Sequence, residues 1–390
     1  MAREMLTLFE FPPLPTEIVF GFGAVMRLGE KLRQLGVSRP LVIGDRGVAQ
    51  AGVLATAQKV LSDAGIEFCS FDDVPQDSST GTVATALALL NAEQCDGLVG
   101  VGGGSVLDTA KAVAVSKTNP GPLTEYAGLG KVKNPPLPVV AIPTTAGTGS
   151  EVSYWAVLTN DDTALKFSIG GQLVFPKVAI CDPELTMTLP SPLTASTGID
   201  ALTHAIESYV NNATQPISQA LSLRAVELIG TYLRGAAVNG RDREARYGMM
   251  LASTLAGIAM NPTRLGIAHA LAMPLGSWDL KIPHGVANAI LLPNVMEFNL
   301  PANIRAFAEI ARALGENTYG LSPRDAAQKA VEAVRTLQRD IGIAYGLAHF
   351  GLTERHIPRV VEEAMKSGNI AVNPRRVLPE HLREICLRSL

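Results

Sequence analysis

Asp200 and His204 stand four residues apart in the run Gly198-Ile199-Asp200-Ala201-Leu202-Thr203-His204-Ala205-Ile206-Glu207-Ser208. In a helix that spacing puts a carboxylate and an imidazole on one face, one turn apart. Such a pair can hold a divalent metal, or simply make a surface hydrogen bond. A second segment runs from His269 to His284, and Ile282-Pro283-His284-Gly285 reads as a turn that delivers the last histidine at a helix start. The chain has only 6 histidines, and three of them fall between positions 204 and 284. Asp200, His204, His269 and His284 therefore form a candidate metal site. His349, His356 and His381 lie in a polar C-terminal stretch, where solvated or capping roles are expected.

The elements that must position these residues are of two kinds. At 390 residues the chain exceeds the usual size of a single core, so two domains are expected. From Ile18 onward short apolar runs alternate with helix-like segments, the pattern of parallel strands and crossover helices. Strands are expected over 40–45, 66–71, 97–101 and 138–143, and helices over 49–64, 80–92 and 106–115. After Pro190 the chain becomes a succession of helical segments: 195–211, 217–238, 242–260, 267–275, 284–299, 303–314, 323–340, 355–366 and 379–390. The expected organisation is an α/β Rossmann-like nucleotide-binding domain over 1–190 and an all-helical metal-binding and substrate domain over 191–390.

Two loops of the first region have the texture of phosphate cradles. Gly102-Gly103-Gly104-Ser105 follows a strand and opens a helix, where small residues let the backbone approach a phosphate and the helix N-terminus offers free N–H groups. A tight strand-to-helix turn without a ligand is the plainer reading. Asp108 and Lys111 fall on the first turns of that helix, where an acidic side chain also complements the helix dipole. The second loop, Pro143-Thr144-Thr145-Ala146-Gly147-Thr148-Gly149-Ser150-Glu151, offers hydroxyls and backbone donors. Both loops leave the carboxyl edge of one sheet, where open α/β folds bind ligands. The familiar GxGxxG fingerprint is missing: Gly21-Phe22-Gly23 runs on to Met26 and reads as a turn. Asp45, at a strand end, could bond the adenosine ribose and repel a 2′-phosphate, which favours NAD over NADP.

Composition excludes several classes. With 47% hydrophobic and 18% charged residues the chain can bury a sizeable core, and a net charge of -3 gives no footprint for nucleic acid. No stretch reaches the ~20 apolar residues of a membrane span, and the segment from Met1 to Pro13 does not read as a secretory signal. Cys69, Cys95, Cys181 and Cys386 form no CxxC pair, so free thiols in a reducing cytoplasm are expected.

Taken in order, the motifs resemble the iron-containing, or group III, alcohol dehydrogenases over nearly the whole chain. They are Gly102-Gly103-Gly104-Ser105-x-x-Asp108-x-x-Lys111, the loop 143–151, Gly198-x-Asp200-Ala201-x-x-His204-Ala205-x-Glu207, Pro283-His284-Gly285, Leu292-Pro293-Asn294-Val295 with Asn299, and Asn373-Pro374-Arg375. The resemblance implies an architecture shared with dehydroquinate synthase, with the active site between an α/β and a helical domain. It implies one divalent metal, Fe2+ or in some members Zn2+, on Asp200, His204, His269 and His284. It implies NAD(P) contacts from Asp45, Gly102, Gly103, Gly104, Ser105, Thr144, Thr145, Thr148 and Lys166, with Asp108 in the same loop motif, and a homo-oligomer, a dimer or larger. The chemistry implied is hydride transfer between nicotinamide and a small alcohol or aldehyde polarised by the metal.

Three departures from the family pattern bear on chemistry. Met273 stands where many members carry a second histidine that relays a proton, and a thioether cannot move one. The interval from His269 to His284 is one residue longer, around Trp278 and Asp279. Pro75-Gln76-Asp77 replaces a Pro-Asn-Pro beside the cofactor. Two alternatives stay open at this level. One is a reductase of an acidic carbonyl compound, of semialdehyde or maleylacetate type, for which Arg264 and Lys281 are the candidate cations. The other is an NAD-using lyase of the dehydroquinate synthase type.

Overall fold

The computed structural model describes residues 8–278 and 280–390. Residues 1–7 and Asp279, from the longer interval, lie outside the described residues. The strands are β1 (Glu17–Phe20), β2 (Pro40–Ile43), β3 (Cys69–Phe71), β4 (Gly97–Gly102), β5 (Gly128–Leu129), β6 (Val139–Pro143), β7 (Trp155–Asn160), β8 (Leu165–Gly170) and β9 (Val178–Cys181). Six of them make a parallel sheet in the order β1-β9-β6-β4-β2-β3. The other three, β5-β8-β7, form a small second sheet whose β7–β8 pair is an antiparallel hairpin.

β2 and β4 are apolar without a break because both faces of the sheet are covered. Leu41, Ile43 and Leu98 point into one core and Val42, Val99 and Val101 into the other, following the two-residue period of a strand. The covering helices are α1 (Leu28–Gln34), α2 (Arg46–Gln50), α3 (Val53–Asp63), α4 (Thr80–Ala92) and α5 (Gly104–Thr118). The helix expected over 49–64 starts earlier, capped by Asp45, and is broken at Gly52. β1, β9 and the hairpin were not among the expected strands; β1 and β9 are only four residues long, too short to show a period.

From Ser191 onward the chain is helical: α6 (Ser191–Val210), α7 (Pro216–Val238), α8 (Arg243–Thr263), α9 (Ile267–Leu275), α10 (His284–Asn299), α11 (Ile304–Ala313), α12 (Pro323–Asp340), α13 (Ile357–Met365), α14 (Asn369–Val372) and α15 (Pro379–Arg388). α6 is the axis of this region. Between Thr194 and Val210 every residue except Thr197 is buried, as expected of a helix packed on all sides, here by α7, α8 and α10.

The sheet and the helices meet along α8. Gly149 closes the loop after β6 at φ 61°, and a Cβ there would lie 2.5 Å from the Cα of Gly257, so only glycine allows this approach. Val152, Ala179, Cys181 and Met250 fill the adjoining apolar seam. Glu151 is buried beside it, and burial pushes its carboxyl up to about 7. This seam brings the small-residue loop after β6 against the start of α6.

Candidate active site

α6 presents Asp200, His204 and Glu207 from successive turns, all three buried. α9 presents His269, and His284 is the first residue of α10, as the turn at Pro283 implied. α10 can start this close to α6 because a Cβ at Gly285 would lie 2.7 Å from the Ser196 carbonyl oxygen. The side-chain donor atoms of Asp200, His269 and His284 lie within 4.8 Å of one another. Asp200 Oδ1 is 3.7 Å from His269 Nε2 and 3.9 Å from His284 Nε2. His204 stands just outside this set: its ring stacks on that of His269, with centroids 4.6 Å apart.

Two of the imidazoles are oriented through Nδ1 and the third through Nε2. Glu207 accepts the backbone N–H groups of Gly266 and Ala268, each at 2.8 Å, and the Nδ1–H of His269 at 2.6 Å. His204 Nδ1 faces the Gly147 carbonyl at 3.3 Å, and a carbonyl can only accept, so the proton is on Nδ1. His284 Nε2 takes an amide N–H from Asn288 Nδ2 at 3.1 Å. The His204 and His269 rings therefore keep a free lone pair on Nε2, whereas that of His284 is taken by Asn288. The Nε2 of His269 is buried and has no hydrogen-bond partner among the described residues. An unpartnered buried nitrogen beside a buried carboxylate fits a cation, and a carboxylate with three imidazoles is a donor set suited to Fe2+ or Zn2+.

The electrostatics agree with that fit at Asp200, His204 and His284. Burial alone would raise the Asp200 carboxyl, but His204, His269 and His284 around it hold it well below the usual carboxylate range. Burial takes His204 down to about 4 and lowers His284 as well. Burial also opposes the charge on His269, but the neighbouring carboxylates of Asp200 and Glu207 push it up to about 9. The ionised Asp200 and the neutral His204 and His284 are in the states a metal requires, and His269 would give up its proton to one.

A cleft of about 570 Å³ opens over these ligands, within the usual range for small-molecule sites. Of the expected cofactor residues, Gly104, Ser105, Asp108, Thr148 and Lys166 line it together with Asp200, His204, His269 and His284. Asp45, Gly102, Gly103, Thr144 and Thr145 do not. Asp45 caps α2 by accepting the Val48 N–H at 2.8 Å, and Thr144 bonds back to Gly102 through their backbones. Glycine at 102 and 104 also has a packing reason, since a Cβ there would meet Val106 at 2.5 Å and Thr148 at 2.7 Å. Asp108 turns inward to Ser150 Oγ at 2.5 Å and Val157 N–H at 2.9 Å, with Lys111 Nζ 3.1 Å away. Lys166, on β8, pairs with Asp77 at 2.7 Å.

Met273 lines the cleft one turn after His269. Arg264 lines it too, whereas Lys281 is exposed and outside it. His356 and His381 accept backbone N–H groups at helix starts, the capping role expected of that stretch. The orienting role of Glu207 was not legible in the sequence, although Asp200, His204 and Glu207 at i, i+4 and i+7 share one helix face. Asn288, which donates to Asp200 Oδ1 at 2.7 Å, follows His284 by one turn and carried the same signal.

Comparison with known proteins places the chain in a family. Residues 15–183 match the model of the iron-containing alcohol dehydrogenases, and residues 194–390 match the C-terminal model of the Fe-containing alcohol dehydrogenase family. The 1,3-propanediol dehydrogenase of Klebsiella pneumoniae is 43% identical over 93% of this chain and 94% of its own. The NAD-dependent methanol dehydrogenase of Bacillus methanolicus is 37% identical over 97% and 99%. A crystal structure of a 1,3-propanediol oxidoreductase, 41% identical, superposes with a TM-score of 0.95 over 98% of this chain and all of that one. The chain belongs to the iron-containing alcohol dehydrogenase family. It is an NAD-dependent alcohol dehydrogenase, working also as an aldehyde reductase, which sets aside the lyase reading.

Proposed function

We propose that Asp200, His204, His269 and His284 together hold one divalent metal, Fe2+ or alternatively Zn2+, and that NAD lies along the loops at 102–105 and 143–151 with its nicotinamide end toward these ligands. The observation that carries this reading is the convergence of Asp200 Oδ1 with the Nε2 atoms of His269 and His284 under a cleft lined by Gly104, Ser105 and Thr148. When bound, the metal polarises the substrate oxygen and the nicotinamide carbon gives or takes hydride. The chain's own residues do the positioning. Glu207 fixes the His269 ring, Gly147 that of His204, and Asn288 holds Asp200. The Lys166–Asp77 pair sets one wall, and Met273 fills its part of the cleft with a group that excludes water and carries no proton.

The substrate on this reading is a small alcohol or its aldehyde, in line with relatives named for 1,3-propanediol and methanol. The division into a nucleotide-binding and a helical domain near residue 190 is supported by the change from sheet to helices after β9. A cytoplasmic setting is supported by the four free cysteines. A homo-oligomer is supported by β1, which ends the sheet with no strand beyond it among the described residues. The test is oxidation of NADH by metal-stripped protein with a panel of short aldehydes, Fe2+ or Zn2+ being restored anaerobically. Turnover should return with one metal; equal turnover without metal, or none with either, contradicts the reading.

A further inference from the structure

Arg264 follows the last residue of α8 with φ 60° and ψ -165°, a backbone region that side-chain-bearing residues rarely occupy and that persists only when its surroundings impose it. The surroundings do so here. Its N–H bonds the Met260 carbonyl at 3.0 Å, and its carbonyl accepts from Asn211 Nδ2 at 3.2 Å and Thr263 Oγ1 at 2.8 Å. Two residues further on, Glu207 grips the Gly266 and Ala268 amides and the His269 ring. Arg264 and a candidate metal ligand are thus set by one pinned turn.

The guanidinium is housed as carefully as the backbone is held. It packs on Gly368, where a Cβ would collide with Nη1, and its Cζ is 5.9 Å from the Trp155 ring centroid. Arg264, Trp155 and Gly368 all line the cleft above Asp200 and His269. The other cations of the lining are paired, Lys166 with Asp77 at 2.7 Å and Lys366 with Glu363 at 2.6 Å. Arg264 has no carboxylate or carbonyl partner for its side chain among the described residues. A half-buried guanidinium without a partner, kept in a cleft at the cost of backbone strain, is a site waiting for an anion.

We propose that Arg264 is the specificity-determining residue of this cleft, binding an anionic group of the carboxylate class at the far end of a short aldehyde or alcohol whose reacting carbon lies at Asp200, His269 and His284. The inference rests on the dehydrogenase reading of that same site. Its planar fork takes two oxygens at once, which a lysine at the same place could not do. The Trp155 face and the Gly368 backbone fix the plane in which those oxygens must lie.

The test uses the metal-loaded enzyme with NADH and two aldehydes of equal chain length, 4-oxobutanoate and butanal. Wild type should favour 4-oxobutanoate in kcat/KM by about 10- to 100-fold, the range that charge-assisted hydrogen bonds supply. Arg264→Gly should collapse that ratio while melting no lower than wild type, since glycine is at ease at this φ. Arg264→Gln should collapse it as well, Arg264→Lys should keep part of it, and Gly368→Ala should lower it by crowding the guanidinium. A ratio unchanged in R264G and R264Q, or an equal loss on both aldehydes, overturns the proposal. If wild type turns over neither aldehyde, it is the dehydrogenase reading that has failed. Arg264 is then judged by calorimetric titration with butanoate: weaker binding in R264G supports the anion site, and equal binding overturns it.

Discussion

The helical ligand cluster and the small-residue loops of the sheet face the same cleft, but they use side chains in opposite ways. Around Asp200 the polar side chains meet one another: Glu207 reaches His269, Asn288 reaches Asp200 and His284, and His204 stacks on His269. Along the loops the polar side chains turn back into the scaffold. Asp45 caps α2, Asp108 locks α5 to β7, and Lys111 donates to the carbonyls of Ser150 and Trp155. On the proposed function the difference follows from what each region would hold. A metal is recognised by side-chain donor atoms at set distances, whereas a pyrophosphate is recognised by backbone N–H groups and by free space at a helix start.

The comparison sharpens first at Glu207, where the largest effect is expected. Glu207→Gln keeps the shape but not the charge that fixes the His269 tautomer, and metal affinity should fall by about 10- to 100-fold, as for other residues that orient a metal ligand. Competitive titration with a chelating dye measures this; unchanged affinity means that Glu207 only braces the Gly266 turn. Asp45 offers the smaller effect and could break the contrast. Asp45→Gly should raise use of NADP relative to NAD by roughly tenfold, about 1.4 kcal/mol of relieved repulsion, while the lost cap costs only a few tenths of a kcal/mol. An unchanged cofactor ratio in steady-state kinetics leaves Asp45 as a helix cap and nothing more.

How much was legible in the sequence divides along the same line. The i,i+4 pair on α6 and the Pro-His-Gly start of α10 pointed to Asp200, His204 and His284 as neighbours, because such a cluster is a matter of residue type and helical spacing. The Glu207 role was hidden, since its partners lie 59 to 62 residues away and only the fold brings them together. In the α/β region the strands β2, β4 and β6 announced themselves as unbroken apolar runs buried on both faces. The β7–β8 hairpin did not, because strands of intermediate burial such as Leu165–Gly170 show no clean alternation, and with it went the placement of Lys166. Arg264 could be named from its nearness to His269, but its strained backbone and the Gly368 hollow exist only in three dimensions.

The central claim is that one buried carboxylate and its imidazoles hold the metal on which turnover depends. The most direct measurement is metal stoichiometry with NADH-linked activity for wild type and Asp200→Ala, each stripped and reloaded with Fe2+ or Zn2+ under anaerobic conditions. One metal per wild-type chain, and loss of both metal and activity in a variant that remains folded, is the predicted result. A D200A protein that keeps its metal, or that turns over normally without one, contradicts the account.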